Sequence, residues 1–519
     1  MGSRLLLLVM VSVGALSFAR AACAQLPAPA DVVDQARSAG GDERVTVQSF
    51  EFSGNTVYPA SVLMPLLVTY LNRPLSLEEL YAAADAVTAY YRMHGYTLAA
   101  VQLPAQDISS GKVQLEVVEG RVGGVAVTGA HRYDPAELLR TLDLPRGSVY
   151  RGDTLERGLF RLNDLPGLSA RAVLQPGADF GTSDVIVNVD ERLLAGALSV
   201  DNYGRKNIGE FRVGGTGTLD NPLGVADQLQ LIALHAEADL LNYGYGEYSL
   251  PLTTAGQRVA VSYGKALFKV TSAGIAGDNS KFRTGVRWPL AHTRADNFLL
   301  NFGGSYTHAN ADLSGLSISD TRITLFDASL LYSHRYDNSA ASQAQLSLGT
   351  DLRRQTRADL LSDGVRHERA RIELDAQHLQ PLWPRGLALW ARVDGVWSPD
   401  PLADTEQFAI GGPDSVRAYP ASEVRGDRGY QGSLGLQQLF RFGPVDLQLR
   451  EFADAGEAYV VHPLPGTDSK TSLAGYGIGF DLHWRMLSFK LDGARPIHAR
   501  PSSDGRDSGR LFGAIAVAY

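Results

Sequence analysis

From about Ala195 onward, the chain consists of strand-length segments in which apolar residues alternate with polar or small ones. Residues 475–484 show this most clearly, because aromatic and branched side chains occupy the even positions, whereas glycine, aspartate and histidine occupy the odd ones. Successive side chains of a strand point to opposite faces, so each segment has one apolar face. A soluble sandwich also contains such strands. Many of them in succession, with aromatic residues near their ends, favour an outer-membrane β-barrel.

The length of this region limits the number of strands. Leu193 to Tyr519 is 519 − 193 + 1 = 327 residues, and a strand that spans a bilayer needs about 9–11 residues. An even number near sixteen leaves about twenty residues for each strand and its connection, although fourteen or eighteen strands fit almost as well. The predicted fold is therefore a transmembrane β-barrel of about sixteen antiparallel strands over residues 193–519.

The first 24 residues have the layout of a secretory signal peptide. Arg4 precedes an apolar run from Leu5 to Phe18, and Ala22-Cys23-Ala24 offers a small-residue cleavage site. The run is too short to span a bilayer as a helix, so membrane residence must come from strands. Cys23 is the one cysteine, so cleavage after Ala24 leaves no disulfide or thiolate site. The alternative is a lipoprotein signal at Cys23, which Arg20 disfavours.

The composition and motifs exclude several classes of function. A net charge of −8 argues against a nucleic-acid partner. The eleven histidines show no HExxH or other close metal spacing, and neither a GxSxG nor a Walker motif is present. Gly475-x-Gly477-x-Gly479 opens no helix, so small residues facing a lumen explain it better than a nucleotide loop. We therefore predict no enzyme, no cofactor and no metal.

An internal repeat lies between the signal and the barrel. Residues 25–44 form a linker, or the remnant of a plug helix, and a β-α-α-β-β order follows over 45–121 and again over 122–192. Ser76 with Glu79 predicts a capping box at the start of a helix. Two copies of about seventy residues indicate a duplicated α+β module. Each module has an edge strand with unpaired N–H and C=O groups that an extended peptide can bind.

The second copy shows comparable helix starts. Asp134 before Pro135 predicts a capped helix that runs to Leu142. Asp153 with Glu156 predicts another capped start, for a helix through Leu165. Residues 59–71 of the first copy are expected to form a single short helix.

A loop and a later strand are the candidate functional site. Phe408–Tyr419 is bounded by glycine and proline, and its Arg417 belongs to no helix or strand pattern. In Val445–Asp454, strict alternation places Asp454 on the face of the polar side chains. If this face is the lumen of a barrel, a loop folded inward sets Arg417 against Asp454. From spacing alone, the alternative is an ordinary lumenal ion pair.

Several motifs together resemble two-partner-secretion transporters of the haemolysin secretion/activation type, and the likeness covers nearly everything after residue 45. Residues 95–120 are similar to the first POTRA module of that family, and residues 162–167 to the second. Residues 201–204 and 221–227 resemble the start of the barrel. The inward-folded loop and its docking strand are matched by Gly411-Gly412, Val416-Arg417-Ala418-Tyr419, Gly426-Asp427-Arg428-Gly429 and Phe452-x-Asp454-x-Gly456.

The resemblance implies a protein-export pore. In that family two periplasmic POTRA modules bind a large secreted exoprotein, such as a haemolysin or adhesin, in extended form. A sixteen-stranded barrel in the outer membrane of a Gram-negative bacterium then passes it outward without ATP, as a monomer surrounded by lipid. By the same resemblance, Arg417 anchors the loop, Asp454 is its charge partner and Phe452 packs beside it. The matching positions also include Gly411, Gly412, Tyr419 and Gly456, whereas client-binding residues are assigned only to the edge strands of the modules.

Two departures and two alternatives remain. The family has glycine where this chain has Ala418, which restricts positive φ at that turn, and its plug helix is reduced to a stub at Asp31–Ser38. An outer-membrane protein insertase is the second interpretation, since that machinery shares the loop and the docking strand. A passive porin, or an enzyme with a barrel anchor, is the third.

Overall fold

The computed structural model describes residues 44–293, 295–357, 370–383, 386–463, 465–466, 468–497 and 502–519. The predicted signal peptide and the predicted plug-helix stub lie outside these residues. The described chain separates into two compact units, 44–191 and 192–519. None of the described helices combines the length and the apolar character needed to cross a bilayer.

The first POTRA-like module packs two helices on a three-stranded sheet. Its elements are β1 (Val45–Thr46), β2 (Ser49–Ser53), α1 (Ala60–Leu63), a 3-10 helix (Met64–Tyr70), β3 (Pro74–Leu75), α2 (Leu77–Met93), β4 (Ala100–Gln102) and β5 (Lys112–Val118). The sheet order is β2-β5-β4, and β1 pairs with β3. The single helix expected over 59–71 is wrong, because a 3-10 helix with Pro65 in its first turn follows α1, and proline cannot donate the α-helical hydrogen bond.

The second module repeats this order. Its elements are β6 (Arg121–Thr128), α3 (Pro135–Leu142), α4 (Gly152–Asn163), β7 (Leu168–Pro176) and β8 (Thr182–Glu191), with the sheet order β6-β8-β7. The capping box of α2 is confirmed, as is the Asp134 cap of α3. The predicted cap of α4 is wrong: α4 begins at Gly152, and the Asp153 carboxylate accepts from the Arg151 guanidinium at 3.1 Å instead.

The barrel is a closed cylinder of sixteen strands within residues 192–519, apart from the undescribed positions. Each strand pairs antiparallel with its neighbour, and the last strand closes on the first. The strands are β9 (Leu194–Asp201), β10 (Arg212–Asp220), β11 (Gln228–Ala236), β12 (Leu241–Pro251), β13 (Arg258–Val270), β14 (Ile275–His292), β15 (Asp296–Leu313), β16 (Leu316–Arg335), β17 (Ala341–Arg357), β18 (Ala370–Trp383), β19 (Leu387–Trp397), β22 (Arg428–Phe442), β23 (Val445–Tyr459), β24 (Lys470–Trp484), β25 (Leu487–Pro496) and β26 (Arg510–Ala518). Between β19 and β22, a separate hairpin is formed by β20 (Phe408–Ile410) and β21 (Val424–Gly426).

The predicted alternation of faces is confirmed in the barrel wall. In β24, Tyr476 and Ile478 are 53% and 68% exposed on the outer face, whereas Leu473 is buried on the inner one. Because β9 runs from one mouth to the other and neighbours are antiparallel, the connection between β19 and β22 lies at the mouth opposite the start of β9.

The wall differs in height around its circumference. Strands β14 to β17 contain 17–20 residues, whereas β9, β10 and β26 contain 8 or 9. Near the tip of the β15–β16 hairpin, His308 Nε2 lies 3.1 Å from Asp320 Oδ1, and Arg322 is on the same face. Charged side chains at this height indicate that the tall wall extends beyond the apolar belt.

Candidate functional site

The connection from β19 to β22 folds into the barrel because its apolar side chains are buried against the inner wall. Phe408 and Ile410 are 1% and 0% exposed. They belong to one cluster with Phe452 of β23 and Leu473 of β24. Burying each such side chain contributes about 1.5–3 kcal/mol. The hairpin is therefore held in the lumen by packing before any charge is considered.

Arg417 and Asp454 form a buried, doubly hydrogen-bonded pair. Arg417 Nε donates to Asp454 Oδ2 at 2.9 Å, and Arg417 Nη2 donates to Asp454 Oδ1 at 2.6 Å. The backbone N–H of Arg417 also donates to Oδ2, at 3.1 Å. Both residues are almost fully buried, at 5% and 2% exposure. A planar guanidinium matches a carboxylate in this way, so the contact fixes both position and orientation.

Aromatic rings cover the guanidinium. The Cζ atom of Arg417 lies 3.2 Å from the centroid of Phe452 and 5.5 Å from the ring of Trp390. The ring faces attract the cation, and at a buried site such a cation–π contact contributes about 2 kcal/mol. Removing one partner of a buried pair costs about 3–5 kcal/mol, because the other charge is left uncompensated. Phe452 thus lies where the sequence places it.

Glycines make the turn and its close approach to the wall feasible. Gly411 and Gly412 have φ of +101° and +108°. A Cβ atom on Gly411 would lie 2.4 Å from the Pro420 carbonyl oxygen. On the docking strand, a Cβ atom on Gly456 would lie 2.9 Å from Gln431 Cβ. These three positions therefore require glycine for steric reasons.

Ala418 does not disturb the loop, although the family has glycine there. Its φ is not positive, so alanine adopts the backbone conformation of this turn without strain. Ala418 is buried, and a Cβ atom on Gly475 of β24 would come within 2.5 Å of its own Cβ. Tyr419 is buried as well, and its N–H donates to the Val416 carbonyl at 3.2 Å.

A second buried carboxylate, to which the sequence analysis assigned no role of its own, lies at the outer end of the loop. Asp427 is 1% exposed, and its carboxylate accepts from the N–H of Leu402 at 2.7 Å and of Val461 at 2.8 Å. It therefore joins the start of the loop to the connection between β23 and β24. Its place beside Gly426 and Arg428 in a matched motif was the signal that pointed to it.

Two protein-family models match this chain. The model of the haemolysin secretion/activation protein ShlB/FhaC/HecB matches residues 181–482, and the ShlB-type POTRA domain matches residues 45–120. The chain belongs to the ShlB/FhaC/HecB family. It is a transporter of the outer membrane of Gram-negative bacteria, with periplasmic POTRA domains, and it acts in two-partner secretion. The resemblance inferred from the motifs is confirmed.

Individual relatives agree with this family. The outer membrane transporter CdiB of Dickeya dadantii is 25% identical over 87% of this chain and 83% of its own length. The hemolysin transporter protein ShlB of Serratia marcescens is 25% identical over 81% of this chain and 76% of its own. Among solved structures, CdiB from Escherichia coli has a TM-score of 0.70 at 22% identity and covers 93% of this chain and 92% of that one. BamA from Haemophilus ducreyi, without its POTRA domains 1–3, has a TM-score of 0.57 at 15% identity, over 92% and 100%. At these identities the two structures show the fold alone.

Proposed function

We propose that this ShlB/FhaC/HecB-family transporter receives a large secreted exoprotein in extended form at its second POTRA module. The exoprotein then passes through a bore whose loop is anchored by Arg417 and Asp454. The names of relatives such as the Serratia marcescens hemolysin transporter support a haemolysin- or adhesin-like cargo. Since the periplasm lacks ATP, folding of the cargo outside the cell supplies direction. We further propose that the barrel acts as a monomer in contact with lipid.

The loop anchor rests on one observation, the three hydrogen bonds between buried Arg417 and Asp454. A surface ion pair contributes about 0–1 kcal/mol and would not hold a loop against a passing chain. A buried pair that also binds the backbone of the loop can do so, because breaking it strands a charge.

The receiving edge is argued from the hydrogen bonds of β7. The Asn163 side chain bonds both backbone groups of Ala170, donating to its carbonyl at 3.1 Å and accepting from its N–H at 2.9 Å. The backbone N–H and C=O groups of Ala170 therefore point away from β8. Along an antiparallel strand, the backbone groups of successive residues point alternately to the two sides. The backbone N–H and C=O groups of Ala172 and Leu174 therefore point to the same free edge as those of Ala170. This edge offers unpaired N–H and C=O groups to an extended peptide.

The corresponding edge of the first module is short. Strand β4 has only three residues, Ala100–Gln102, and the N–H of Val101 is already bonded to Thr88 Oγ1 at 2.9 Å. Pro104 follows almost at once and has no N–H to donate. The nine-residue β7 therefore supports the second module as the receiving one.

The loop anchor is tested with Arg417→Ala. We expect the barrel to remain heat-modifiable in gels, because the closed wall is unchanged, while the exoprotein disappears from the culture supernatant. Arg425→Ala is the matched control, since Arg425 lies in the same connection but is exposed. Normal exoprotein titres from Arg417→Ala would refute the loop anchor.

The export function itself is tested by deleting the gene and comparing the supernatant with the outer-membrane proteome. Loss of one exoprotein supports the proposed cargo. Loss of many barrel proteins would instead indicate an insertase.

A further inference from the structure

Glu406 lies in the part of the loop that precedes β20, remote in sequence from the docking strand. Its Oε1 atom is 3.6 Å from Lys281 Nζ on β14, and its Oε2 atom accepts from the Arg371 guanidinium on β18. The side chain is 11% exposed. Arg371 is itself oriented by Glu373, whose Oε1 lies 2.9 Å from Arg371 Nε. A loop carboxylate thus meets two cations of the barrel wall.

The positions of these strands show that the loop crosses the bore. In the order of the closed cylinder, β14 is the sixth strand, β18 the tenth and β23 the thirteenth of sixteen. Strands six and thirteen are almost opposite each other. Through Lys281, Glu406 therefore contacts the wall that lies across the lumen from Asp454, and through Arg371 it contacts a strand three places from β23. Next to Glu406, Ala403 packs on Ile323 and Leu325 of β16, the eighth strand, which is on the same far side.

We propose that Glu406 is a second anchor that holds the loop across the bore of the resting transporter through Lys281 and Arg371. This inference rests on the proposed role of the loop and adds a residue to it. The two anchors differ in exposure. At the second anchor, the side chains of Lys281 and Arg371 are 31% and 15% exposed, whereas those of Arg417 and Asp454 are 6% and 1% exposed. Water screens the more exposed pairs and weakens them. The second anchor therefore breaks first, and the loop stays attached to the wall through Arg417 and Asp454.

The test measures ionic current through the full-length transporter in planar bilayers, with no partner protein present. Glu406→Gln removes the charge and keeps the shape, so the open fraction of the current is expected to rise about fivefold, in keeping with partly exposed ion pairs. Asp404→Asn is the matched control: it removes the same charge from an exposed position two residues away, and its current stays at the wild-type value. Only variants that remain heat-modifiable in gels are recorded.

A second arm tests the partners. The double variant Lys281→Met with Arg371→Gln is expected to raise the open fraction as Glu406→Gln does, and adding Glu406→Gln to it gives no further rise, since all three changes break one contact. A wild-type current from Glu406→Gln, or a fully additive triple variant, overturns the second anchor. Neither result affects the export phenotype of Arg417→Ala, so failure of this inference is distinguishable from failure of the proposed function.

Discussion

The two POTRA-like modules share their sheet order and one turn, but they differ in how deeply that turn is buried and in the length of their edge strands. In each, a glutamate at or just after the end of the last strand accepts from the turn that follows β2 in the first module and β6 in the second. Glu119 accepts from the N–H of Val57 at 2.6 Å, and Glu191 accepts from the N–H of Tyr133 at 3.2 Å. The glycine that begins each turn has a positive φ, and a Cβ atom on it would lie 2.3 Å from a carbonyl oxygen, as seen at Gly54 and Gly129.

The surroundings of the two glutamates have diverged. Glu119 is 4% exposed and also accepts from the Tyr91 hydroxyl at 3.1 Å, and burial raises the pKa of that tyrosine. Glu191 is half-buried and accepts only from backbone N–H groups among the hydrogen bonds described for residues 44–191. The duplicated turn is therefore a folding requirement of the module. The two modules differ in how deeply the glutamate is buried and in the length of the edge strand, which has three residues in the first module and nine in the second.

The largest expected effect is on the buried glutamate. Glu119→Ala leaves the Val57 N–H and the Tyr91 hydroxyl without an acceptor, so we expect a loss of about 3 kcal/mol. Glu191→Ala exposes its donors to water and costs about 1 kcal/mol. Hydrogen-exchange mass spectrometry of the full-length protein in detergent measures both. Equal losses of protection in the two modules would break the comparison.

A smaller effect is expected at the receiving edge. Ala172→Pro removes one N–H that faces away from β8, which an edge strand tolerates, and export is expected to fall about tenfold because one backbone contact to the cargo is lost. Ala172→Thr keeps the N–H and is the matched control. Unchanged secretion by the proline variant, with β7 still protected from exchange, would transfer the receiving role to another surface.

The smallest effect concerns the helix starts. The pKa of Glu79 is lowered by the hydrogen bond from the backbone N–H of Ser76, at 2.9 Å, and by Arg73. A lowered pKa means that the cap stabilises α2 above the unfolded value of about 4.3 and is lost as the pH falls through the folded value. Exchange of the first-turn amides, corrected for intrinsic rate, should therefore increase below about pH 4. In Glu79→Gln this step is expected to be absent, and a step that persists there would assign it to another group.

Local sequence patterns predicted much of the structure. Alternation separated the outer from the inner face of β23 and β24. The contact between Arg417 and Asp454 was expected from the family resemblance, because spacing alone left an ordinary lumenal ion pair as the alternative. The capping pattern at Ser76 held although Arg73 Nη1 donates to Glu79 Oε1 at 2.9 Å, because the other oxygen, Oε2, accepts from the Ser76 N–H. At Asp153 the neighbouring Arg151 binds both carboxylate oxygens instead.

Contacts between remote segments could not be obtained in this way. Glu406 meets Lys281 across 125 residues of sequence (406 − 281), and Asp427 joins two outer connections of the barrel. Neither contact leaves a periodic signal, because it depends on how the sheet closes. The Asn163 side chain and Ala170 are nearer in sequence, but their hydrogen bonds join a helix to a strand, and no local pattern predicts them.

The unequal height of the wall has a consequence for the cell surface. At about 3.3 Å per residue and a tilt near 40°, the 20 residues of β16 reach roughly 50 Å along the barrel axis, about twice the apolar belt, whereas the 8 residues of β9 reach only about 20 Å, slightly less than that belt. The mouth of the pore is therefore flanked by a tall wall on one side and a low wall on the other. A polypeptide that leaves the pore is therefore expected to meet the tall strands on one flank and open solvent on the other.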